Sequence, residues 1–114
     1  NQMKKTKIGE FEELVLMTVI VLQEEAYGVA IKKELEDRLE TGLSVGSIQS
    51  ALKRMEEKGF LESKFGEATA RRGGKRKRIY SATPAGLRVL SQMKDIRTSL
   101  WNSMPPFALE FSWI

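Results

Sequence analysis

The 114-residue sequence predicts a mainly α-helical fold that carries one β-hairpin and ends in a long helix. Apolar residues recur every three or four positions in four stretches, each bracketed by residues that start or stop helices. Between the third and fourth stretches, two short runs of strand-forming residues flank a polar, glycine-bearing loop, which is the pattern of a hairpin. The length suits one modest core, which pairing of two chains would enlarge.

The first helix is expected over Glu10 to Gln23. Its apolar positions run nearly all round, so it should be buried on most sides. Val19-Ile20-Val21 is β-branched and would tolerate a strand. The length and the acidic first turn (Glu10, Glu12, Glu13) favour a helix, because carboxylates suit the positive end of its dipole. The second helix opens at Tyr27 or Gly28 and runs to Leu39. Tyr27, Ile31, Leu35 and Leu39 mark its inner face, and Thr41-Gly42 is expected to stop it.

The third helix follows Ser44, an N-cap residue by type, and closes at Lys58-Gly59. Val45, Ile48, Leu52 and Met55 form a narrow core stripe. Ser47, Gln49, Ser50, Lys53 and Arg54 are left facing outward. Phe60–Phe65 and Arg78–Ala82 are the two strands of the hairpin, joined by the polar stretch 66–77. Thr83-Pro84 then starts the last helix, with Thr as cap and Pro where no N–H is needed. It runs to about Asn102, and Pro105-Pro106 forbids its continuation. Val89, Met93, Ile96 and Leu100 repeat with heptad-like spacing and form a candidate dimerisation stripe, with Leu87 and Leu90 on an adjacent face. The segment 107–114 alternates apolar with small or polar residues, and packs on its own domain or on a partner. These elements divide the chain into 8–83, 84–104 and a tail, 105–114.

The charge is local. Net charge is +4, from 19 basic and 15 acidic residues. Arg71, Arg72, Lys75, Arg76, Lys77 and Arg78 supply six cations; the other 13 basic residues are outnumbered by the acids. One cationic patch on an otherwise acidic chain points to a polyanionic partner. With no histidine or cysteine, disulfides and thiolate or imidazole metal sites are excluded, no cofactor is called for, and a reducing cytoplasm is expected. Leu14–Leu22 is too short to span a membrane. Lys4, Lys5 and Lys7 ahead of it resemble a signal peptide only faintly, since Glu10, Glu12 and Glu13 intervene. No constellation of catalytic groups appears, so an enzyme is not expected.

Three helices followed by a hairpin is the order of a winged helix-turn-helix. A helix entering a major groove needs short side chains and hydrogen-bonding groups on one face near its N-terminus. Ser47, Gln49, Ser50 and Lys53 provide them, with Gln49 the candidate for base readout. Arg54 is expected to hold a phosphate or to pair with Glu57. Arg71, Arg72, Lys75, Arg76 and Arg78 would hold DNA backbone, with Gly73-Gly74 turning the tip, while Tyr80 is expected in the hairpin's packing. Separately, a solvated helix face and a basic loop have blander explanations. A protein-interaction adaptor and an RNA-binding module are the alternatives, and A-form RNA closes its major groove to a helix.

The stretches GEFEELVLMTVIVLQEEAYGVAIKKELE, LSVGSIQSALKRMEEKGFLES and RRGGKRKRIYSATPAGLRVL resemble the PadR family of bacterial transcriptional regulators. The likeness covers about residues 8 to 101. It rests on Tyr27-Gly28, Ser44-x-Gly46, Leu52-x-Arg54-x-Glu56-x-x-Gly59 and Arg72-Gly73-Gly74, followed by Tyr80, Thr83-Pro84 and Gly86. The resemblance implies a homodimeric repressor on double-stranded DNA at a pseudo-palindromic operator, with one C-terminal dimerisation helix. It also implies a small aromatic effector at the dimer interface, for which Trp101 is the candidate contact, a packed interface tryptophan being its plainer role. The family usually carries tyrosine where this chain has Gln49, so operator sequence does not carry over.

Overall fold

The computed structural model describes residues 7–66 and 76–106. Four helices and one hairpin follow in the expected order: α1 Glu10–Leu22, α2 Gly28–Leu39, α3 Val45–Glu57, β1 Leu61–Phe65, β2 Arg78–Ala82 and α4 Pro84–Ser103. A single 3-10 turn, Gln23–Glu25, links α1 to α2. The fold is therefore mainly α with a two-stranded antiparallel sheet, as the sequence predicts.

The core gathers Val15, Leu16 and Val19 of α1, Ile31 and Leu35 of α2, and Ile48, Ala51, Leu52 and Met55 of α3. Phe60, Leu61, Tyr80 and Val89 close it from the hairpin and α4. Several expectations shift. Val45 leaves the α3 stripe for solvent, and Ala51 takes an inward place instead. As the first helical residue, Val45 lies at the edge of the contact between α2 and α3, beside Val29 and Lys32. The first helix is buried on most sides, as expected, with Met17 and Val21 exposed and Glu12 and Glu13 among its buried positions. Leu39 at the end of α2 is exposed too. The left-handed residue ending α2 is Glu40 (φ 55°), not Gly42.

Glu36 sets the turn between α2 and α3. Its carboxylate accepts from the Leu43 N–H at 2.8 Å and from Lys32 Nζ at 3.0 Å, which holds it below the usual carboxylate range. Ser44 then caps α3, its Oγ accepting from the Ser47 N–H at 3.0 Å.

The hairpin pairs Leu61 with Ala82 through Phe65 with Arg78. Tyr80 also donates its N–H to the Ala26 carbonyl at 2.8 Å, and Tyr27 bridges Ile79. This third short segment ties the wing to the start of α2. A single bridge leaves no alternating run, so the residue pattern does not reveal it.

Past β2, the chain returns to the end of α3. Gly59 takes φ 81°, and Thr83 donates its N–H to the Phe60 carbonyl at 3.0 Å and its Oγ1 to the Gly59 carbonyl at 2.6 Å. The same Oγ1 accepts from the Gly86 N–H at 3.1 Å, capping α4. Gly86 lies so near that a Cβ there would stand 2.3 Å from the Phe60 oxygen. Backbone on both sides leaves no room to adjust. Gly86→Ala should therefore cost about 2 kcal/mol, read as a lowered urea midpoint at unchanged m-value.

On the α1 side of this same C-terminal end of α3, Arg54 Nε and Lys58 Nζ donate to the Glu12 carboxylate at 2.8 and 2.9 Å. The Gly9 N–H donates to it as well, at 2.8 Å. Burial alone would raise the Glu12 pKa. The bonds from Lys58, Gly9 and Arg54 outweigh burial and lower it from 4.5 to about 2. A carboxyl depressed in the folded state stabilises fully above its unfolded pKa, and that contribution is lost as pH falls through its folded pKa. Stability from Glu12, at most roughly 3 kcal/mol, should thus decline between about pH 4.5 and pH 2. Denaturation of Glu12→Gln across that window should show a flatter acid limb than the native chain.

Candidate nucleic-acid interface

The outward face of α3 follows from its amphipathic spacing. With Ile48, Ala51, Leu52 and Met55 turned inward, Gln49, Ser50 and Lys53 stand exposed on the other side. Ser47 is half-buried, and its hydroxyl donates back to the Ser44 carbonyl at 2.9 Å. Arg54 is engaged with Glu12 of α1 rather than with Glu57 of its own helix. That pair spans two elements, which helix periodicity alone does not bring together.

The wing's base is built on Phe65. The Arg78 guanidinium lies 4.6 Å from its ring centre and that of Arg76 5.5 Å. Arg76 also donates to the Gly66 carbonyl at 2.9 Å. Arg78 donates to Ser63 Oγ at 3.0 Å, which in turn donates to Glu56 at 3.0 Å. This chain of bonds fixes a wing cation to the end of α3. Burial, and then the nearby Glu56 charge, push the Tyr80 hydroxyl pKa up, consistent with a packed residue of the hairpin.

Lys77 reaches across to α2, its Nζ 3.5 Å from the centre of the Tyr27 ring. Tyr27, Gly28, Val29, Gln49, Lys77, Arg78 and Tyr80 thereby line one open cleft of about 310 Å³. The start of α2, the outward face of α3 and the base of the wing meet there. Gln49 and Arg78, both singled out in the sequence, are brought together, while Lys77 and Tyr27 were missed as site residues. Lys77 sits in the same cationic run as its neighbours; only the bridge between Tyr27 and Ile79 reveals its partner. Arg71, Arg72, Gly73, Gly74 and Lys75 lie outside the described residues.

The candidate dimerisation stripe divides. Val89 is buried in its own domain and Met93 packs against the same core. Ile96 and Leu100 are more than half exposed, as is Trp101. Arg97 anchors the projecting half of α4 by donating to Glu13 of α1 at 2.8 Å. Among the described residues, no helix is long and apolar enough to cross a membrane.

Residues 16–92 match the model of the Transcriptional regulator PadR-like family. The chain belongs to this family. The PadR-like assignment makes the chain a DNA-binding transcriptional regulator. A PadR-like transcriptional regulator from Bacillus cereus is 29% identical, with a TM-score of 0.64 over 90% of this chain and 95% of that one. A PadR family transcription regulator from Clostridium difficile is 26% identical, with a TM-score of 0.62 over 86% and 98%. A PadR-like transcription factor from Bacteroides fragilis shares the fold at 21% identity, with a TM-score of 0.67 over 90% of each chain. No curated protein matches the chain.

Gly28 shapes the PadR-like cleft. A Cβ there would stand 2.7 Å from Gln49 Nε2, the far end of a flexible side chain. Gly28→Ala should push this amide aside without disturbing the core. The Gln49 side-chain NH₂ resonances should move, while unfolding free energy changes by less than about 1 kcal/mol.

Proposed function

We propose that this PadR-like chain is a homodimeric repressor that holds a pseudo-palindromic duplex operator. The unit 8–83 meets DNA and the helix 84–104 pairs the two chains. The observation that carries the proposal is the convergence of Gln49, Lys77 and Arg78 on one cleft. Ser47, Gln49, Ser50 and Lys53 face the major groove, with Gln49 suited to an adenine edge. Arg76, Lys77 and Arg78 lie against the flanking backbone. In the sequence, Arg71, Arg72, Gly73, Gly74 and Lys75 continue the same cationic run. Arg54 serves DNA less than it serves α1, because its Nε is held by Glu12, a carboxylate it shares with Lys58.

Pairing falls to the projecting half of α4, where Ile96, Leu100 and Trp101 are exposed and Met93 is half-buried. A dimer built there must hold its two α3 helices about 34 Å apart to meet successive major grooves. A small aromatic effector touching Trp101 would act by favouring one crossing of the paired helices over another.

Binding of the native protein to an operator duplex should weaken steeply with salt. Lys77→Ala and Arg78→Ala should each lower the slope of log K against log salt by about 1.8 in the dimer, or 0.9 per phosphate contact. A slope unchanged by both substitutions, or equal affinity for duplex RNA of the same sequence, would overturn the proposal.

A further inference from the structure

Two exposed valines flank Gln49, and phosphate contact explains neither. Val45 opens α3 and is 63% exposed; Val29, the second residue of α2, is 75% exposed. Helix propensity does not account for them, since β-branched residues are poor choices at solvent-facing helical positions. Together with Gly28, Lys32, Ile48 and Gln49 they line a cleft of about 50 Å³. That space is far too small for a drug-sized ligand, but a methyl group can enter it.

The surroundings narrow the choice of occupant. Val45 and Gln49 are one helical turn apart and share a face. The Gln49 amide lies over Gly28, beside Val29. Val29 and Gln49 also line the larger neighbouring cleft with Lys77 and Arg78. An apolar pair framed by cations fits a polyanion that carries an apolar group of its own. In the major groove of duplex DNA that group is the 5-methyl of thymine, while adenine offers the N6 and N7 pair that a glutamine amide matches.

We infer that Val45 and Val29 clasp a thymine methyl next to the base pair read by Gln49, so that each operator half-site carries adjacent A·T pairs at this position. The inference rests on the DNA-binding role proposed above for the same surface. It makes the two valines specificity-determining residues, separate from the cations that supply affinity.

The test starts from an operator selected by the native protein out of random duplexes. Each thymine is then replaced in turn by deoxyuridine, which removes only the methyl group. At one thymine per half-site, the native dimer should lose about four-fold in affinity, the worth of one buried methyl carbon. The Val45→Ala/Val29→Ala double variant should bind the thymine and uracil duplexes equally, with the salt dependence of the native protein. Both positions are exposed and alanine is the better helix former, so the variant should unfold no earlier than the native protein; each single variant provides a further chain in which to look for loss of the uracil penalty. If no uracil weakens the native protein, the clasp is wrong while duplex binding stands. The same holds if the penalty survives in all three variants. Failure of the folded native protein to bind any duplex would overturn both this inference and the reading beneath it.

Discussion

The junction at Gly59 and Phe60 is the constraint on which the other placements depend. Within two residues α3 ends, the hairpin begins and the first turn of α4 is gripped. Gly59 supplies the left-handed turn, Phe60 fills the core, and Thr83 closes the loop onto both of their carbonyls. Gly86 then lets α4 approach to a distance that no side chain could share. The helix α3, the hairpin and α4 are thus fixed relative to one another through backbone, which yields less than side-chain packing does. A shift at this point would move all three.

Charge is sorted along α3 in a way that supports the same geometry. Near its N-terminal half, on the side of the wing, Lys77 and Arg78 line the cleft with Gln49. At its C-terminal end, Arg54 and Lys58 are drawn onto Glu12 and fasten α3 to α1. Cations in the first group are held by aromatic faces and by a serine, arrangements that leave their charge uncompensated. Those in the second group converge on one buried carboxylate, which fastens α3 to α1 and offsets one of their two charges. Identical residue types therefore do different work according to what the fold places opposite them.

The exposed apolar residues sort in a similar way. Ile96, Leu100 and Trp101 lie on the half of α4 that projects beyond the core, where a second chain would find them. Val29 and Val45 lie at the starts of α2 and α3, beside the amide of Gln49. The first group is continuous along a helix, as pairing of rods requires. The second is compact and ringed by polar groups, as contact with a base edge requires.

Much of this was legible in the residues alone. Helix-period spacing, the Ser44 and Thr83 caps and the glycine-bearing break between two short strands determined the four helices and the hairpin, because these are signals carried by neighbours in the chain. The outward placement of Gln49, Ser50 and Lys53 followed from the same periodicity. Tertiary structure alone decided that Val45 is exposed, that Val89 belongs to the core, that Arg54 is taken by Glu12, and that Lys77 meets Tyr27. Each of these depends on which element covers which. Such coverage joins residues 42 positions apart for Glu12 with Arg54 and 84 apart for Glu13 with Arg97, a distance over which local periodicity carries no information.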